Sequence, residues 1–226
     1  MYVIIVGAGD IGTPLIAQAT ADRNEVVVVE RNETAAERVA QQFDCLAINA
    51  DATSAETLDE AGAQRADAII STTESDATNI MTMLLADDIG IPSRVSVVHN
   101  SEHKPLFRRA GVNVIENPQQ LIADYLYRAV QRPSIKDVLH LAGNAEIFEI
   151  TVTEGAPTAG TTLQEADRKG LLGDDDVLVV AVERGETVIT PKGDTTIRSG
   201  DLVTVFSKRG FAPDVIRQFA PQEGRA

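Results

Sequence analysis

A glycine-rich loop near the start of the chain has the residue types and spacing that bind phosphate. The loop fits the G-x-G-x-x-G pattern and consists of Gly7, Ala8, Gly9, Asp10, Ile11 and Gly12. Gly7 permits a tight turn, Gly9 lets a pyrophosphate approach the backbone, and Gly12 lets the following helix pack closely. Free amides at the start of that helix, with the positive end of its dipole, predict a phosphate site.

An acidic residue at the end of the second predicted strand extends this site to a nucleotide. Glu30 lies 18 residues after Gly12, where a carboxylate binds ribose hydroxyls and repels a 2′-phosphate. Arg31 weakens that repulsion, and Asp10 disfavours the γ-phosphate of ATP unless a cation intervenes. Loop and acid together predict binding of a dinucleotide or an adenine nucleotide.

Two further loops follow strand ends, which is where ligands of such sheets bind. Asp51 and Ala52 lie in the first loop, and Asp51 either faces an adenine or caps the next helix. Thr72, Thr73 and Glu74 lie in the second loop, where their polar side chains can face the nucleotide.

The sequence offers few groups for catalysis. His99 ends the fifth predicted strand and is the one histidine expected to reach the site, because His103 and His140 fit surface or packing positions. The Tyr-x-x-x-Lys, Gly-x-Ser-x-Gly and His-Glu-x-x-His patterns do not occur. We therefore predict no catalytic residues and no metal site, with an NAD-dependent oxidoreductase as the alternative.

The elements that must position these residues alternate along the first 115 residues. Short β-branched runs predict strands at Val3–Val6, Glu25–Glu30, Cys45–Ile48, Ala68–Ser71, Val95–Val98 and Asn113–Ile115. The segments between them predict helices at Thr13–Ala21, Thr34–Phe43, Ala55–Ala61, Asp76–Asp88 and Lys104–Ala110. Asp76 is expected to cap the fourth helix. Strands that are nearly all apolar are buried on both faces, so the fold is α/β, with a Rossmann-type doubly wound parallel sheet.

Two crossover helices are predicted after this sheet. The first begins at Pro118 and carries an apolar stripe that runs from Leu121 to Val130. Pro133 breaks the pattern, and a second short helix follows to about Leu141. The apolar stripe either covers its own domain or crosses onto a partner chain.

The pattern changes again from Ala145, where alternating strands surround one short helix. This change predicts a small α+β domain. We expect a nucleotide-binding domain over 1–132, a crossover helix and linker over 133–142, the α+β domain over 143–209 and a polar tail over 210–226.

Composition excludes several classes of protein. The 226 residues carry 34 acidic and 20 basic side chains, a net charge of −14, which argues against binding nucleic acid. With no apolar run of membrane-spanning length and no signal-peptide pattern, we expect a cytoplasmic protein. Cys45 is the only cysteine, so an internal disulfide is excluded. Abundant carboxylates and scarce lysine favour a halophilic source over an ordinary acidic protein.

Several segments together resemble one family. These segments are GAGDIG, the strand-end Glu30, NADATSAETLDEAGAQRADAIISTTESDATNI, AGVNVIENP and TPKGDTTIRSGDLVTVF. They resemble cytosolic regulatory subunits of Trk/Ktr-type potassium transport, in which a regulator-of-potassium-conductance (RCK, or TrkA-N) domain precedes a TrkA-C domain. The resemblance covers about residues 1–208.

The resemblance implies a nucleotide sensor rather than an enzyme. Such proteins bind NAD(H), ATP or ADP, and they form homodimers through the crossover helices or rings of such dimers. They gate an integral membrane potassium transporter subunit of the TrkH or KtrB type without inserting into the membrane themselves. Regulation of another cation channel or antiporter is the alternative within this class.

The resemblance also assigns site residues. The glycine loop and Glu30 match the phosphate loop and ribose acid, Asp51 matches the acid of a Gly-Asp-Ala-Thr loop, and Thr73 and Glu74 match the fourth-strand loop. His99 stands where many members carry an arginine that meets phosphate. Imidazole binds phosphate more weakly than guanidinium, so the choice between NAD(H) and ATP/ADP stays open.

Overall fold

The computed structural model describes residues 1–173, 176–210 and 212–222. The chain divides into two compact units, Met1–Ile122 and Ala123–Ala226. No helix among the described residues is both long and apolar enough to cross a membrane.

The first unit is built on a six-stranded parallel sheet. Its strands are β1 (Tyr2–Val6), β2 (Glu25–Val29), β3 (Leu46–Ile48), β4 (Ala68–Ser71), β5 (Ser93–Val97) and β6 (Val114–Glu116). They lie in the order β3-β2-β1-β4-β5-β6, which confirms the predicted Rossmann-type sheet.

Helices connect these strands as the sequence predicts. They are α1 (Gly12–Ala21), α2 (Glu33–Gln42), α3 (Ala55–Glu60), α4 (Asp76–Ile89) and α5 (Lys104–Arg109), with short 3-10 turns at Ala63–Arg65 and Ser101–His103. The bounds of these six strands and five helices all lie within two residues of the predicted ones.

The central strands are buried on both faces, as their unbroken apolar sequence requires. Ile4 and Ile5 point to opposite faces of β1, and both are completely buried. Two separate apolar clusters pack against the two faces. In the parallel register, Val6 pairs with Val29 on one side and with Ser71 on the other. The loops that follow β1, β2 and β4 therefore meet at one edge of the sheet.

Helix α6 (Pro118–Gln131) follows β6 and starts at the predicted proline. None of its residues is buried, and its apolar side chains are among the most exposed of the chain. Exposed fractions are 55% for Leu121, 60% for Ile122, 55% for Tyr125, 58% for Leu126 and 83% for Val130.

The predicted second crossover helix is wrong. Residues Ile135–His140 form a strand, β7, which pairs antiparallel with β8 (Glu146–Thr151). Its first residue, Ile135, packs into the apolar core of the second unit. The antiparallel pairing with β8 decides between helix and strand for an apolar pattern that suits either element.

The second unit holds a five-stranded sheet in the order β10-β9-β11-β8-β7. Its remaining elements are α7 (Leu163–Arg168), β9 (Val177–Arg184), β10 (Thr187–Ile189), β11 (Leu202–Ser207) and α8 (Pro213–Phe219). All the pairings between these strands are antiparallel, so the predicted small α+β domain is present.

The prediction of a polar tail over 210–226 is wrong for residues 213–219. There, α8 buries Val215, Ile216 and Phe219 in the core of the second unit. Residues 211 and 223–226 of that predicted tail lie outside the described residues.

An ion pair between half-buried Arg184 and buried Asp201 fixes the turn before β11. Asp201 is 1% exposed, and its carboxylate accepts hydrogen bonds from Arg184 Nε at 2.8 Å and Nη2 at 2.7 Å. Burial alone would raise the pKa of Asp201. The hydrogen bonds from Arg184 and from the Arg198 amide outweigh burial and hold that pKa below its usual value.

Candidate functional site

A cavity of about 600 Å³ lies at the edge of the sheet where β1, β2 and β4 end. This volume falls within the usual range of ligand pockets, about 300–1,000 Å³. Ten of the predicted site residues lie on its wall: Gly7, Ala8, Gly9, Glu30, Arg31, Asp51, Ala52, Thr72, Thr73 and Glu74. The other four, Asp10, Ile11, Gly12 and His99, do not line it.

The glycine loop presents a row of backbone donors. Gly7 adopts a positive φ of 96°, and its amide donates to the Val29 carbonyl at 2.9 Å, so the chain turns sharply out of β1. The next amide, that of Ala8, is taken by the Glu30 carboxylate. The amides of Gly9, Asp10, Ile11 and Gly12 donate to no acceptor in the parts of the chain that the structure describes. Consecutive free amides at a helix start form an anion site.

A close backbone contact holds this loop in shape. A Cβ atom on Gly12 would overlap the carbonyl oxygen of Gly7 and would lie 2.9 Å from Thr72 Oγ1. A Cβ atom on Gly9 would meet no protein atom within 4 Å. Gly12 is therefore required by packing within the protein, whereas the space beside Gly9 is open.

The Glu30 carboxylate closes one side of the loop. Oε2 accepts from the Ala8 amide at 2.7 Å, and Oε1 accepts from the Asn32 amide at 2.8 Å. These two bonds fix a carboxylate between the end of β2 and the glycine loop. The predicted ribose acid thus lies beside the predicted phosphate loop.

Arg38 on α2 also contacts the glycine loop, which sequence reasoning missed. Its Nη2 donates to the Ala8 carbonyl at 2.8 Å and to Thr13 Oγ1 at 3.3 Å. Arg38 is eight residues beyond Glu30, so it lies on the second turn of α2, the helix that leaves the same strand end. The separation of eight residues from Glu30 is the only sign in the sequence that Arg38 can reach the glycine loop. It predicts this contact only when the direction of α2 is known.

Asp51 reaches the cavity but does not take its alternative predicted role as a helix cap. It lies on the cavity wall, and its Oδ1 accepts from the Thr53 amide at 2.9 Å and from Thr53 Oγ1 at 2.7 Å. These bonds, that from the amide first, hold the pKa of Asp51 below its usual value. Asp51 does not cap α3, because the N-cap residue is Ser54.

Buried Asn79 organises the loop after β4, and sequence reasoning missed this residue as well. Its Oδ1 accepts from Ser71 Oγ at 2.7 Å and from Thr73 Oγ1 at 2.6 Å, while its Nδ2 donates to the Thr73 carbonyl at 2.9 Å. Asn79 is completely buried. Nδ2 also donates to the Val97 carbonyl of β5 at 3.3 Å. A buried amide bonded to β4, to β5 and to this loop holds Thr73 and Glu74 in a defined position at the cavity.

The predicted cap by Asp76 is wrong, because Ser75 caps α4 and accepts from the Thr78 amide at 3.2 Å. The Asp76 carboxylate instead binds the segment after β5. It accepts from the His99 amide at 2.8 Å, the Asn100 amide at 3.0 Å and His103 Nδ1 at 2.7 Å. Burial would raise the pKa of Asp76, but these hydrogen bonds outweigh it and lower that pKa.

The charge on the cavity wall is mainly negative. Its ionisable side chains are the carboxylates of Glu30, Asp51 and Glu74 and the guanidinium of Arg31. No group of three or more His, Cys, Asp or Glu side chains in the described part of the chain is arranged to hold a metal ion. Recognition of an anion at this site must therefore come chiefly from backbone amides.

Comparison with known proteins gives two family matches. The TrkA-N domain model matches residues 3–118, and the TrkA-C domain model matches residues 147–220. A curated relative from Methanothermobacter thermautotrophicus, a Trk system potassium uptake protein TrkA homolog, is 27% identical over 97% of this chain and 99% of its own length. A protein of the same name from Pyrococcus abyssi is 29% identical, with 95% of this chain and 96% of its own length covered.

Solved structures of the same fold include a channel. A structure described as "GsuK channel bound to NAD" matches with a TM-score of 0.70 and 22% identity. The match covers 97% of this chain and 39% of the channel chain, so this chain spans about two fifths of that protein. Another structure of that protein is described as bound to ADP and matches 56% of this chain with a TM-score of 0.52.

Two glycine variants separate binding from folding. Gly9→Ala should leave the free energy of unfolding nearly unchanged but weaken NADH binding at least tenfold, since its methyl group projects where a phosphate must approach. Gly12→Ala should lower the free energy of unfolding by about 1–3 kcal/mol, because its methyl group overlaps the Gly7 carbonyl. Urea unfolding and calorimetric titration check both. Equal NADH affinity for Gly9→Ala and the wild type would contradict a phosphate site at this loop.

Proposed function

This chain belongs to the TrkA-N and TrkA-C domain families, and from that premise we propose that it is a nucleotide-sensing regulatory subunit of a potassium uptake system. The observation that carries the proposal is the row of four glycine-loop amides that find no acceptor in the described part of the chain, beside the fixed Glu30 carboxylate. The archaeal relatives that match over nearly their whole length are named as potassium uptake proteins, which supports the transport role.

The site favours sensing over catalysis. His99 was the sequence's one candidate for a base near the nicotinamide, but its ring does not line the cavity. Its Nε2 is 3.0 Å from the Thr73 carbonyl and its Nδ1 is 2.8 Å from Gln119 Nε2, so both ring nitrogens are engaged within the protein. A hydride-transfer enzyme would need a proton donor or acceptor facing its substrate. We therefore propose that ligand binding itself is the signal.

The charge of the cavity favours a dinucleotide. ATP has a higher negative charge than NAD, and the wall offers three carboxylates against one arginine. Glu30, held beside the loop, can accept ribose hydroxyls and repel a 2′-phosphate. NAD(H) is therefore the proposed ligand, with ADP or ATP as competitors that bind more weakly unless a cation accompanies them. Structures of this fold bound to NAD and to ADP exist for the GsuK channel.

Helix α6 provides the surface for a homodimer. Its apolar side chains include Ile122, Leu126 and Val130, and these three are 58–83% exposed. A contiguous apolar surface of this kind marks a protein–protein interface. We propose that two copies pair through α6, that such dimers can assemble into rings, and that they act on an integral membrane subunit of the TrkH or KtrB type.

The proposed location is the cytoplasm, peripheral to the membrane through this partner. The net charge of −14 fits a salt-rich cytoplasm, because screening by salt weakens repulsion between surface carboxylates. Binding experiments therefore belong in about 1 M KCl.

Potassium uptake tests the proposed function in cells. Deleting the gene from its source organism should slow potassium uptake, and wild-type protein should restore it. Gly9→Ala should restore little, since the glycine loop can no longer bind its ligand. Gly193→Ala is the matched control, because its Cβ would make only an ordinary contact, at 3.5 Å, with Gln164.

Two outcomes would contradict the potassium assignment. Unchanged potassium uptake after deletion of the gene would contradict a role in potassium transport. A changed flux of another cation would favour a regulator of a channel or antiporter for that cation. Full restoration by Gly9→Ala would separate transport from nucleotide binding.

A charge-neutral variant tests the choice of nucleotide. Glu30→Gln should weaken NADH binding and raise the affinity for NADPH relative to NADH by about tenfold, because the 2′-phosphate no longer meets a carboxylate. Glu37→Gln on the exposed side of α2 is the control. Calorimetric titration with both nucleotides gives the ratio. If Glu30→Gln and the wild type have the same ratio of NADPH to NADH affinity, Glu30 does not select between the two nucleotides.

A charge on α6 tests the dimer. Leu126→Asp should convert a dimeric wild type to a monomer, because it places a carboxylate in the proposed apolar interface. Leu46→Asp is the matched control, since Leu46 on β3 is 59% exposed and Leu126 is 58% exposed. Light scattering after size-exclusion chromatography gives the mass. A monomeric wild type, or a dimeric Leu126→Asp, would contradict pairing through α6.

A further inference from the structure

The side chain of His99 lies between the loop after β4 and the start of α6. Its Nε2 is 3.0 Å from the carbonyl oxygen of Thr73, on the loop that lines the cavity. Its Nδ1 is 2.8 Å from the Nε2 atom of Gln119, in the first turn of α6. One ring thus bonds the cavity loop on one side and the exposed apolar helix on the other.

The partners of the ring determine its tautomer. A carbonyl oxygen only accepts, so Nε2 must carry the hydrogen that Thr73 receives. In the neutral ring with that hydrogen, Nδ1 keeps a lone pair and accepts from the Gln119 amide nitrogen. A single tautomer therefore makes both bonds, and only a side chain with one donor and one acceptor at this separation can replace it.

On the cavity side, the ring helps to orient one peptide group. The Thr73 carbonyl accepts from His99 and also from buried Asn79 at 2.9 Å. In a trans peptide the N–H points opposite to the carbonyl, so the Glu74 N–H is directed away from His99 and Asn79. Among the described residues this amide has no acceptor. The ring therefore supports a peptide with a free donor in the loop that lines the cavity.

On the helix side, His99 makes a second bond through its backbone. Its carbonyl accepts from Asn117 Nδ2 at 2.9 Å, and Asn117 Oδ1 accepts from the Gln120 amide at 2.9 Å. Asn117 and Gln119 thus tie the first turn of α6 to His99 from two directions. A shift of the Thr73 peptide could therefore be transmitted to the first turn of α6 through His99 alone.

We propose that His99 is the positioning residue that couples nucleotide binding to the first turn of α6. This inference rests on the proposed nucleotide-sensing function and assigns its transmission to one side chain. A nucleotide that bonds the Glu74 amide changes the free energy of the Thr73–Glu74 peptide, and His99 passes that change to Gln119. The coupling is reciprocal, so the state of α6 also alters nucleotide affinity.

Three variants separate the two bonds of the ring. His99→Gln keeps a donor at the place of Nε2 but loses the acceptor at Nδ1, and His99→Asn keeps the acceptor at Nδ1 but loses the donor at Nε2. Gln119→Leu removes the helix partner and leaves His99 itself intact. His103→Gln is the matched control, because the His103 ring bonds Asp76 rather than Thr73 or Gln119.

Hydrogen–deuterium exchange of the full chain, with and without saturating NADH, gives the readout. In the wild type and in His103→Gln, NADH should change the exchange rates of the Gln120, Leu121 and Ile122 amides by about fivefold or more. That response should be lost in His99→Gln, His99→Asn and Gln119→Leu. His99→Gln and Gln119→Leu should still bind NADH within about threefold of the wild type by calorimetry, because the Thr73 bond is retained.

The outcomes separate this inference from the function on which it rests. A wild type that binds NADH without any response in α6 overturns the coupling and leaves nucleotide sensing intact. A response that persists in Gln119→Leu, or one that is lost in His103→Gln, overturns the assignment to His99. Failure of NADH, NAD, ADP and ATP to bind the wild type overturns both.

Discussion

The N-terminal unit depends on four consecutive backbone amides that have no acceptor among the described residues and are therefore available to a ligand or water. The structure keeps these amides in place in three ways. Gly12 packs against the Gly7 carbonyl, the Glu30 carboxylate takes the neighbouring Ala8 amide, and Arg38 holds the Ala8 carbonyl. Each contact comes from a different element, so the shape of the loop depends on the order of the strands around β1.

That strand order could be predicted from the sequence because its signals are local. Each buried strand is a short β-branched run, and alternation with helices allows few arrangements. Strand β7 and helix α8 could not be predicted in the same way. The apolar residues around Val138 suit a helix or a strand, and pairing with β8 decides between them. Helix α8 did carry a signal, Pro213 followed by Val215, Ile216 and Phe219, within a segment of otherwise polar composition.

The sequence predicts which residues of the glycine loop and β2 form the candidate site, but it does not predict the contacts that hold them in place. The glycine spacing and Glu30 identify a nucleotide loop from the sequence, because that chemistry depends on neighbours along one strand–helix unit. Asn79, Arg38 and His99 act across elements, so their partners are visible only in three dimensions. His99 was expected at the ligand, yet its ring contacts Thr73 and Gln119 instead. The position of His99 after β5 predicts that it lies at the carboxyl edge of the sheet, but it does not predict which neighbours its ring contacts.

The most direct test of this account is a calorimetric titration of the wild-type full chain with NADH in about 1 M KCl, followed by competition with ADP and ATP. The account predicts one site per chain with a dissociation constant well below about 1 mM, and weaker binding of ATP without a divalent cation. Absence of binding by all of these nucleotides up to about 1 mM would contradict the central claim that the glycine loop is a nucleotide sensor.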